Sequence, residues 1–207
     1  MTDSAKVIAV LKDIIAVIGE NAQFLTDLDA AVGDSDHGIN MARGFKKVEA
    51  DLPALEGKDI GAILKKTGMD LVSTVGGSSG PLYGTAFMKA GAKAAGKNEI
   101  GMEDFLAMMD EAVGGVQLRG KAVRGEKTML DAMIPAQEAM KAAASGGADT
   151  SAVLQAGVKA AEEGVEYTKT IIATKGRASY LGERTLGHQD PGATSFTLIL
   201  KAIAAGY

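Results

Sequence analysis

The chain has 207 residues, with 22 Lys and Arg against 26 Asp and Glu, giving a formal net charge of −4. We expect a single domain over residues 1–207, because this length supports one substantial core. No basic block is present to hold a nucleic acid, and no cysteine is available for a disulfide, a thiolate metal site or a nucleophile. No apolar run could span a bilayer and the N-terminal segment is amphipathic, so we predict a cytoplasmic protein with no membrane or nucleic-acid partner.

Small residues dominate the composition. There are 35 Ala and 27 Gly, together 62 of 207 residues, whereas Phe and Tyr total nine and Trp is absent. Alanine at this density favours closely packed helices, and few large aromatic residues remain to build a β-sandwich. The composition therefore predicts an all-α fold.

Helical periodicity begins at the N-terminus, where apolar residues from Val7 to Ile18 recur at intervals of three and four, with Ser4 as the expected cap. Further helices are predicted near 24–28, 39–48, 60–72, 81–95, 101–114, 128–145, 150–173 and 193–205. The run Tyr167 to Ala173 is the one candidate strand. We predict a closed antiparallel barrel or bundle of about eight helices joined by short turns.

Glycines gather in four predicted loops between these helices. The loops are Gly33–Gly38, Gly76–Gly84, Gly120–Gly125 and Gly176–Gly192. The last is the longest stretch without a periodic pattern, and a loop of that length in a compact domain is usually functional or mobile.

The first of these loops is acidic. Asp34 and Asp36 are two residues apart, and Asp29 can join them if the preceding helix ends above the loop. Clustered carboxylates repel one another unless a cation lies between them, and oxygen ligands without thiolates favour Mg²⁺ over zinc. The three residues are therefore candidate magnesium ligands. Helix caps and solvated turn residues are the alternative interpretation of each aspartate.

Two familiar motifs fail on inspection. An EF-hand loop starting at Asp34 would need glycine at its sixth position and glutamate at its twelfth, where this chain has Ile39 and Phe45. The segment 115–122 has the glycine and lysine spacing of a P-loop, but Ala122 replaces the hydroxyl that binds magnesium and no strand precedes it.

The second and fourth glycine loops each lead into a predicted helix that has proline in its first turn, at Pro81 and Pro191. Free N–H groups at a helix N-terminus bind anions, and glycine allows a phosphate to approach closely. Each loop alone could be an ordinary helix start. Together with the acidic loop they predict a nucleotide-phosphate site on a scaffold unlike the Rossmann fold.

Four long strings of residues, in order along the whole chain, carry a family resemblance. They are Gly33–Met41, Gly76–Thr85, Gly125–Met129 and Gly182–Ala193. These strings resemble the DhaL family, the nucleotide-binding subunits of phosphotransferase-system-dependent dihydroxyacetone kinases. The resemblance implies an antiparallel barrel of eight helices.

The resemblance also implies roles for individual residues. Asp29, Asp34 and Asp36 would hold two Mg²⁺ ions against the phosphates of ADP. The implied nucleotide contacts are His37, Gly38, Ile39, Asn40, Ser78, Ser79, Gly120, Met129, Arg177, Asp190, Pro191 and Gly192. The family commonly has aspartate where this chain has Glu126, which keeps the charge.

For activity, the resemblance implies that ADP stays bound as a coenzyme. A DhaM-like phosphohistidine protein would rephosphorylate it, and dihydroxyacetone on a DhaK-like subunit would receive the phosphoryl group. No protein nucleophile is needed, because catalysis of phosphoryl transfer depends mainly on positioning the reacting groups and neutralising the charge of the phosphates. A transcriptional regulator is a further partner that the resemblance allows.

Three other functions stay open at this stage. The chain could serve a kinase that uses free ATP, acting on dihydroxyacetone or a fatty acid. It could be a nucleotide-binding regulatory module without catalysis. A metal-dependent hydrolase would need a general base, for which His37 is the one nearby imidazole.

Overall fold

A computed structural model describes residues 1–207 as nine α-helices, two 3₁₀ helices and one pair of two-residue strands. The α-helices are α1 (Ser4–Glu20), α2 (Ala22–Val32), α3 (His37–Asp51), α4 (Ile60–Thr74), α5 (Ser79–Lys93), α6 (Met102–Gly120), α7 (Leu130–Ser145), α8 (Thr150–Thr168) and α9 (Pro191–Ala205). The 3₁₀ helices span Leu52–Leu55 and Arg177–Thr185, and strands β1 (Thr2–Asp3) and β2 (Glu99–Ile100) pair antiparallel. No helix is both long and apolar enough to cross a membrane.

Eight of the helices form a closed ring. Contacts run from α1 to α3 and then through α4, α5, α6, α7 and α8 to α9, which packs back against α1. The remaining helix, α2, lies against α3 and α9. The ring encloses a core of 37 buried apolar residues, among them Leu11, Phe45 and Leu200. The predicted closed barrel of about eight helices is confirmed.

Glycines allow the helices of this ring to pack closely. Gly61 on α4 lies against Gly91 on α5 and against Ala95 just beyond the end of α5, where an added Cβ would come within 2.6 Å of the Ala95 Cα. Gly68 and Gly84 meet in the same way seven residues along each helix, so α4 and α5 run antiparallel with their backbones in contact. The abundance of small residues thus reflects backbone-to-backbone packing between neighbouring helices.

Several predicted boundaries are wrong. Tyr167 to Ala173 is not a strand, because α8 continues to Thr168 and the chain then turns. The segment before Pro191 is not structureless, because the 3₁₀ helix Arg177–Thr185 occupies much of it. Residues 169–190, which join α8 to α9, are called the strap below.

The remaining differences concern helix ends. The predicted helix at 101–114 continues to Gly120 as α6. Residues His37 and Gly38, expected in a loop, begin α3, and the N-cap of α1 is Asp3 instead of Ser4. The Asp3 carboxylate accepts a hydrogen bond from the Lys6 N–H, which Ser4 does not do.

Candidate functional site

The acidic loop lies between α2 and α3, and Asp29 organises it. Asp29 occupies the last turn of α2, and its Oδ2 accepts hydrogen bonds from the backbone N–H groups of Asp36 (2.9 Å) and His37 (3.1 Å). Its carboxylate therefore caps the N-terminus of α3 from outside that helix. Gly33 is necessary here, because a Cβ at that position would lie 2.1 Å from Asp29 Oδ1.

The three predicted metal ligands converge. Carboxylate oxygens of Asp29, Asp34 and Asp36 all lie within 4.8 Å of one another, and Asp29 is buried while Asp34 is exposed. Arg177 of the strap reaches across and places its Nε 3.0 Å from Asp34 Oδ2. One guanidinium leaves two of three negative charges unbalanced, so this donor set of hard oxygens fits Mg²⁺.

A glycine loop faces the acidic cluster from the N-terminus of α5. Gly77 has φ +66°, a left-handed conformation that suits glycine, and the N–H groups of Gly77 and Ser78 have no acceptor within the protein. The Asn40 carboxamide lies directly beneath Gly76, where an added Cβ would be 2.9 Å from Asn40 Nδ2. The loop thus presents free donors to the cavity, as an anion site requires.

A second helix N-terminus faces the same cavity at α9. Asp190 is its N-cap, with Oδ2 accepting from the Ala193 N–H at 2.6 Å, and Pro191 is the first helical residue. Burial raises the pKa of the Asp190 carboxyl to about 7, and the negative charges of Asp131 and Asp29 act in the same direction. A nearby cation would stabilise the ionised form of Asp190.

His37 connects the three helices that meet at the site. Its Nδ1 lies 2.9 Å from Ser79 Oγ on α5, and its Nε2 lies 2.9 Å from Ser195 Oγ on α9. Burial lowers the pKa of His37 to about 4, although the charge of Asp29 opposes that shift. Ser195 Oγ also lies 2.7 Å from Oη of the buried Tyr83. The hydrogen-bonded chain that starts at Ser79 therefore continues through His37 and Ser195 to Tyr83.

Lys127 holds the base of the strap. Its side chain is almost fully buried, and its ammonium donates to the carbonyl oxygens of Thr168, Thr185 and His188, each at 2.6 Å. Burial lowers the pKa of Lys127, while the charge of Asp190 opposes the shift. Carbonyl acceptors from the end of α8 and from the strap are thereby satisfied by one cation.

These parts surround a single cavity of about 490 Å³. Twelve of the fifteen predicted site residues line it: Asp29, Asp34, Asp36, His37, Ser78, Ser79, Gly120, Met129, Arg177, Asp190, Pro191 and Gly192. The other three do not. Gly38 packs against the Ala22 carbonyl, Ile39 is 57% exposed on α3, and Asn40 supports the glycine loop.

Sequence reasoning missed several residues that line the cavity. Lys127 and Thr128 lie inside the string Gly125–Met129 but carried no assigned role, and Arg119 and Lys175 were not predicted as site residues. Lys127 has a positive φ of +60°, which its sequence context does not reveal. A lysine within a glycine-bounded string that resembles a family motif was the available signal.

A protein-family model, the DAK2 domain, matches residues 31–205. The ADP-binding subunit DhaL of PEP-dependent dihydroxyacetone kinase from Escherichia coli K12 is 45% identical over 188 residues, covering 91% of this chain and 90% of the relative. The corresponding subunit of the PTS-dependent kinase from Lactococcus lactis is 39% identical over 191 residues, covering 90% of this chain and 91% of the relative. Human triokinase/FMN cyclase is 36% identical over 205 residues, 97% of this chain and 35% of the longer enzyme.

Solved structures agree with these relatives. The dihydroxyacetone kinase of C. freundii superposes over the whole of this chain with a TM-score of 0.77 and 26% identity. The same kinase in complex with AMP-PNP and Mg²⁺ gives a TM-score of 0.73. This chain spans about a third of the length of that kinase. The family match and the 45% identity over nine-tenths of both chains show that the protein belongs to the DAK2-domain family, among the DhaL-type subunits of dihydroxyacetone kinase.

Proposed function

We propose that this protein is the ADP-binding phosphotransfer subunit of a dihydroxyacetone kinase. Bound ADP would be phosphorylated in place by a phosphohistidine on a DhaM-like partner, and the terminal phosphoryl group would pass to dihydroxyacetone held by a DhaK-like subunit. One observation carries the proposal: a three-carboxylate cluster faces two helix N-termini across one cavity. The names of the relatives support dihydroxyacetone as the substrate and a PEP- or PTS-dependent source of the phosphoryl group.

The N–H groups and the arginine of the cavity would bind the phosphates of the nucleotide. The free N–H groups of Gly77 and Ser78 would donate to phosphate oxygens, and the N-terminus of α9 at Gly192, which lines the same cavity, would do the same. Arg177, which is 67% exposed and close to Asp34, would neutralise phosphate charge at the cavity mouth.

Asp29, Asp34 and Asp36 would hold magnesium, and we propose two ions for three carboxylates that also face a diphosphate. Mg²⁺ neutralises charge on the phosphate oxygens when bound. No side chain in the cavity needs to form a covalent bond, because positioning and charge stabilisation supply most of the catalysis in phosphoryl transfer.

Native mass spectrometry of the purified protein tests the coenzyme role directly. We expect one ADP and two Mg²⁺ per chain that survive gel filtration. Asp34→Asn and Asp36→Asn variants should lose the metal and weaken ADP retention, while Asp13→Asn, on the outer face of α1, should retain both. Adding the phosphohistidine donor and the dihydroxyacetone-binding subunit should give dihydroxyacetone phosphate; a wild-type protein that retains ADP but transfers no phosphate would contradict the proposal.

A subunit that uses free ATP is the second candidate. It is favoured by the structural match to the C. freundii kinase with AMP-PNP and by the similarity to human triokinase. Nucleotide exchange distinguishes the two. A coenzyme stays with the protein through repeated turnovers, whereas a substrate is released as ADP in each cycle and requires continuous replenishment.

We further propose a cytoplasmic location and, as an additional partner, a transcriptional regulator that responds to the phosphorylation state of the bound nucleotide. A pull-down comparing the ADP-bound and ATP-bound forms tests this second role. A regulator that binds neither form would exclude it.

A further inference from the structure

Four side chains form a relay beside the glycine loop, in which Ser79 is half-buried and the other three are buried. Ser79 Oγ contacts His37 Nδ1 at 2.9 Å, His37 Nε2 contacts Ser195 Oγ at 2.9 Å, and Ser195 Oγ contacts Tyr83 Oη at 2.7 Å. The relay ends at the carbonyl oxygen of Gly192, which is 3.1 Å from Ser195 Oγ and 3.2 Å from Tyr83 Oη. Ser195 and Tyr83 are buried, and Ser195 does not line the cavity.

The hydrogens of this relay can be counted. A neutral imidazole carries one N–H, and each of the three hydroxyls carries one hydrogen, so four hydrogens serve five contacts: three between the side chains and two to the Gly192 carbonyl oxygen. With the hydrogen on Nε2, His37 donates to Ser195, and Ser79 must donate to Nδ1. One of the Tyr83 and Ser195 hydroxyls then donates to the other, and the hydrogen of the second hydroxyl is donated to the Gly192 carbonyl oxygen. Every hydrogen is used inside the protein, including that of Ser79.

The other tautomer has a different outcome. With the hydrogen on Nδ1, His37 donates to Ser79, and the Ser79 hydroxyl hydrogen is free to point into the cavity. Ser195 must then donate to Nε2, and Tyr83 donates to Ser195. A phosphate oxygen without a proton only accepts hydrogen bonds, so a phosphate contacted by Ser79 requires this second arrangement.

We propose that nucleotide phosphate binding at Ser79 changes His37 from the Nε2–H to the Nδ1–H tautomer, and that Ser195 and Tyr83 are positioning residues which make the second tautomer possible. The inference rests on the proposed function, because it requires a phosphate at Ser79. Without nucleotide, the Nε2–H form is favoured, since it places one more hydrogen bond within the protein. Without the Ser195 hydroxyl, the Nδ1–H form would leave Nε2 buried as an acceptor with no donor, whereas the Nε2–H form keeps a second acceptor beside the ring, the Pro191 backbone carbonyl.

Nitrogen NMR of the imidazole rings tests the change of tautomer. The protein contains two histidines, so labelling them with ¹⁵N gives two ring systems, and the spectrum of His188→Gln identifies those of His37. His188 has an exposed side chain and lies outside the relay. We expect Nε2 to carry the hydrogen in the nucleotide-free protein and Nδ1 to carry it with ADP and Mg²⁺.

The same experiment separates the two hypotheses. If calorimetry shows saturable ADP binding while His37 keeps one tautomer or becomes an imidazolium, this inference is overturned and the proposed function stands. If ADP does not bind, both are overturned.

A double-mutant cycle provides a second test. Ser195→Ala should weaken ADP affinity by about tenfold, the order expected for one unsatisfied buried acceptor, and Ser79→Ala should cause a comparable loss. The double variant should be little worse than Ser79→Ala alone, because Ser195 acts through the Ser79 hydroxyl. Additive losses would show that Ser195 has only a structural role and would overturn the proposal.

Further variants keep this test independent of misfolding. Ser195→Thr restores a hydroxyl and should recover most of the affinity. Tyr83→Phe should lower ADP affinity a few fold when Ser79 is present and should have no effect on ADP affinity in the Ser79→Ala background. Thr197→Val removes another buried hydroxyl of α9, one that donates to the Ala193 carbonyl, and should leave ADP affinity unchanged.

Discussion

Gly33 and Asp29 show how single residues shape the acidic end of the cavity. The glycine leaves space for a carboxylate that both caps α3 and faces Asp34 and Asp36. A side chain at position 33 would therefore disturb a helix cap and a candidate metal site together. Lys127 has a comparable importance at the base of the strap, where one ammonium satisfies carbonyls from two segments.

Gly33→Ala should weaken Mg²⁺-dependent ADP binding. The new Cβ would lie 2.1 Å from Asp29 Oδ1, so the carboxylate must move away from the position in which it faces Asp34. We expect a loss of tenfold or more in ADP affinity by calorimetry in Mg²⁺, with a smaller loss in EDTA. Gly19→Ala, where an added Cβ meets open space, is the matched control. Equal affinities for Gly33→Ala and wild type would contradict this account.

Lys127→Met should loosen the strap. Methionine fills a similar volume but leaves the carbonyls of Thr168, Thr185 and His188 without a donor, at a cost of roughly 2 kcal/mol in the free energy of unfolding. Hydrogen exchange followed by mass spectrometry should show faster exchange over residues 169–190 than in wild type. If exchange increases equally throughout the molecule, the effect is general destabilisation and the specific role of Lys127 is wrong.

The residue scale also shows what the sequence could predict. Asp29, Asp34 and Asp36 could be grouped because acidic residues beside glycine suggest a cation, and the structure brings their carboxylates together. Lys127 could not be placed, because its contacts come from positions 41 to 61 residues further along the chain. Local pattern carries no information about such distant carbonyl partners.

At the scale of helices, glycine positions determine how closely neighbours pack. Gly164 on α8 faces the backbone of α7, where an added Cβ would lie 2.1 Å from the Asp131 carbonyl oxygen and 2.9 Å from the Ala132 Cα. Because α7 begins directly after the loop that contains Lys127 and Met129, this contact also fixes one wall of the cavity.

Gly164→Ala should destabilise the protein by roughly 1–3 kcal/mol, because backbone atoms cannot move as a flexible side chain does. Gly114 lies within helix α6, where an added Cβ would meet open space, so Gly114→Ala should raise the free energy of unfolding by up to about 1 kcal/mol. Chemical denaturation measures both. A Gly164→Ala variant as stable as Gly114→Ala would show that α7 and α8 can separate without cost.

Helices were predictable from apolar periodicity, and most predicted helices lie within a few residues of the observed ones. The 3₁₀ helix within the strap was not predictable, since the segment Arg177–Thr185 is polar and is interrupted by Gly182 at φ +56°. Its conformation depends instead on tertiary contacts, such as the Thr185 hydroxyl that accepts from the Ala173 N–H. A short polar segment of this kind has no periodic core face to identify it.

At the scale of the whole molecule, two titrating groups of the cavity, the buried His37 and the half-buried Asp190, have opposite effects on stability. The pKa of His37 falls from 6.5 to about 4, so its contribution is present above pH 6.5 and is lost as pH falls toward 4. The pKa of Asp190 rises from 3.8 to about 7, so its contribution is present below pH 3.8 and is lost as pH rises through 7. Between about pH 4 and 6.5 the two effects oppose each other.

Asp190→Asn should therefore make the free energy of unfolding increase more steeply with pH between 4.5 and 6.5 than it does in wild type. Urea denaturation in EDTA without nucleotide measures this slope, since bound cations would alter the ionisation of Asp190. Asp13→Asn, at an exposed position on α1, should leave the slope unchanged. Parallel curves for Asp190→Asn and wild type would show that Asp190 does not titrate in this range.

The first and last residues of the segment 1–207 touch each other: the Thr2 hydroxyl lies 2.6 Å from the Tyr207 hydroxyl, and the Lys6 ammonium lies over the Tyr207 ring. The cavity between α3, α5 and α9 includes none of these residues. The order in which the helices follow one another along the chain can therefore be changed without disturbing the fold or the cavity. A circularly permuted chain, with a short linker from Tyr207 to Met1 and new termini at the exposed turn 146–148, should assemble the same eight-membered ring and hold ADP as firmly as the natural connectivity does.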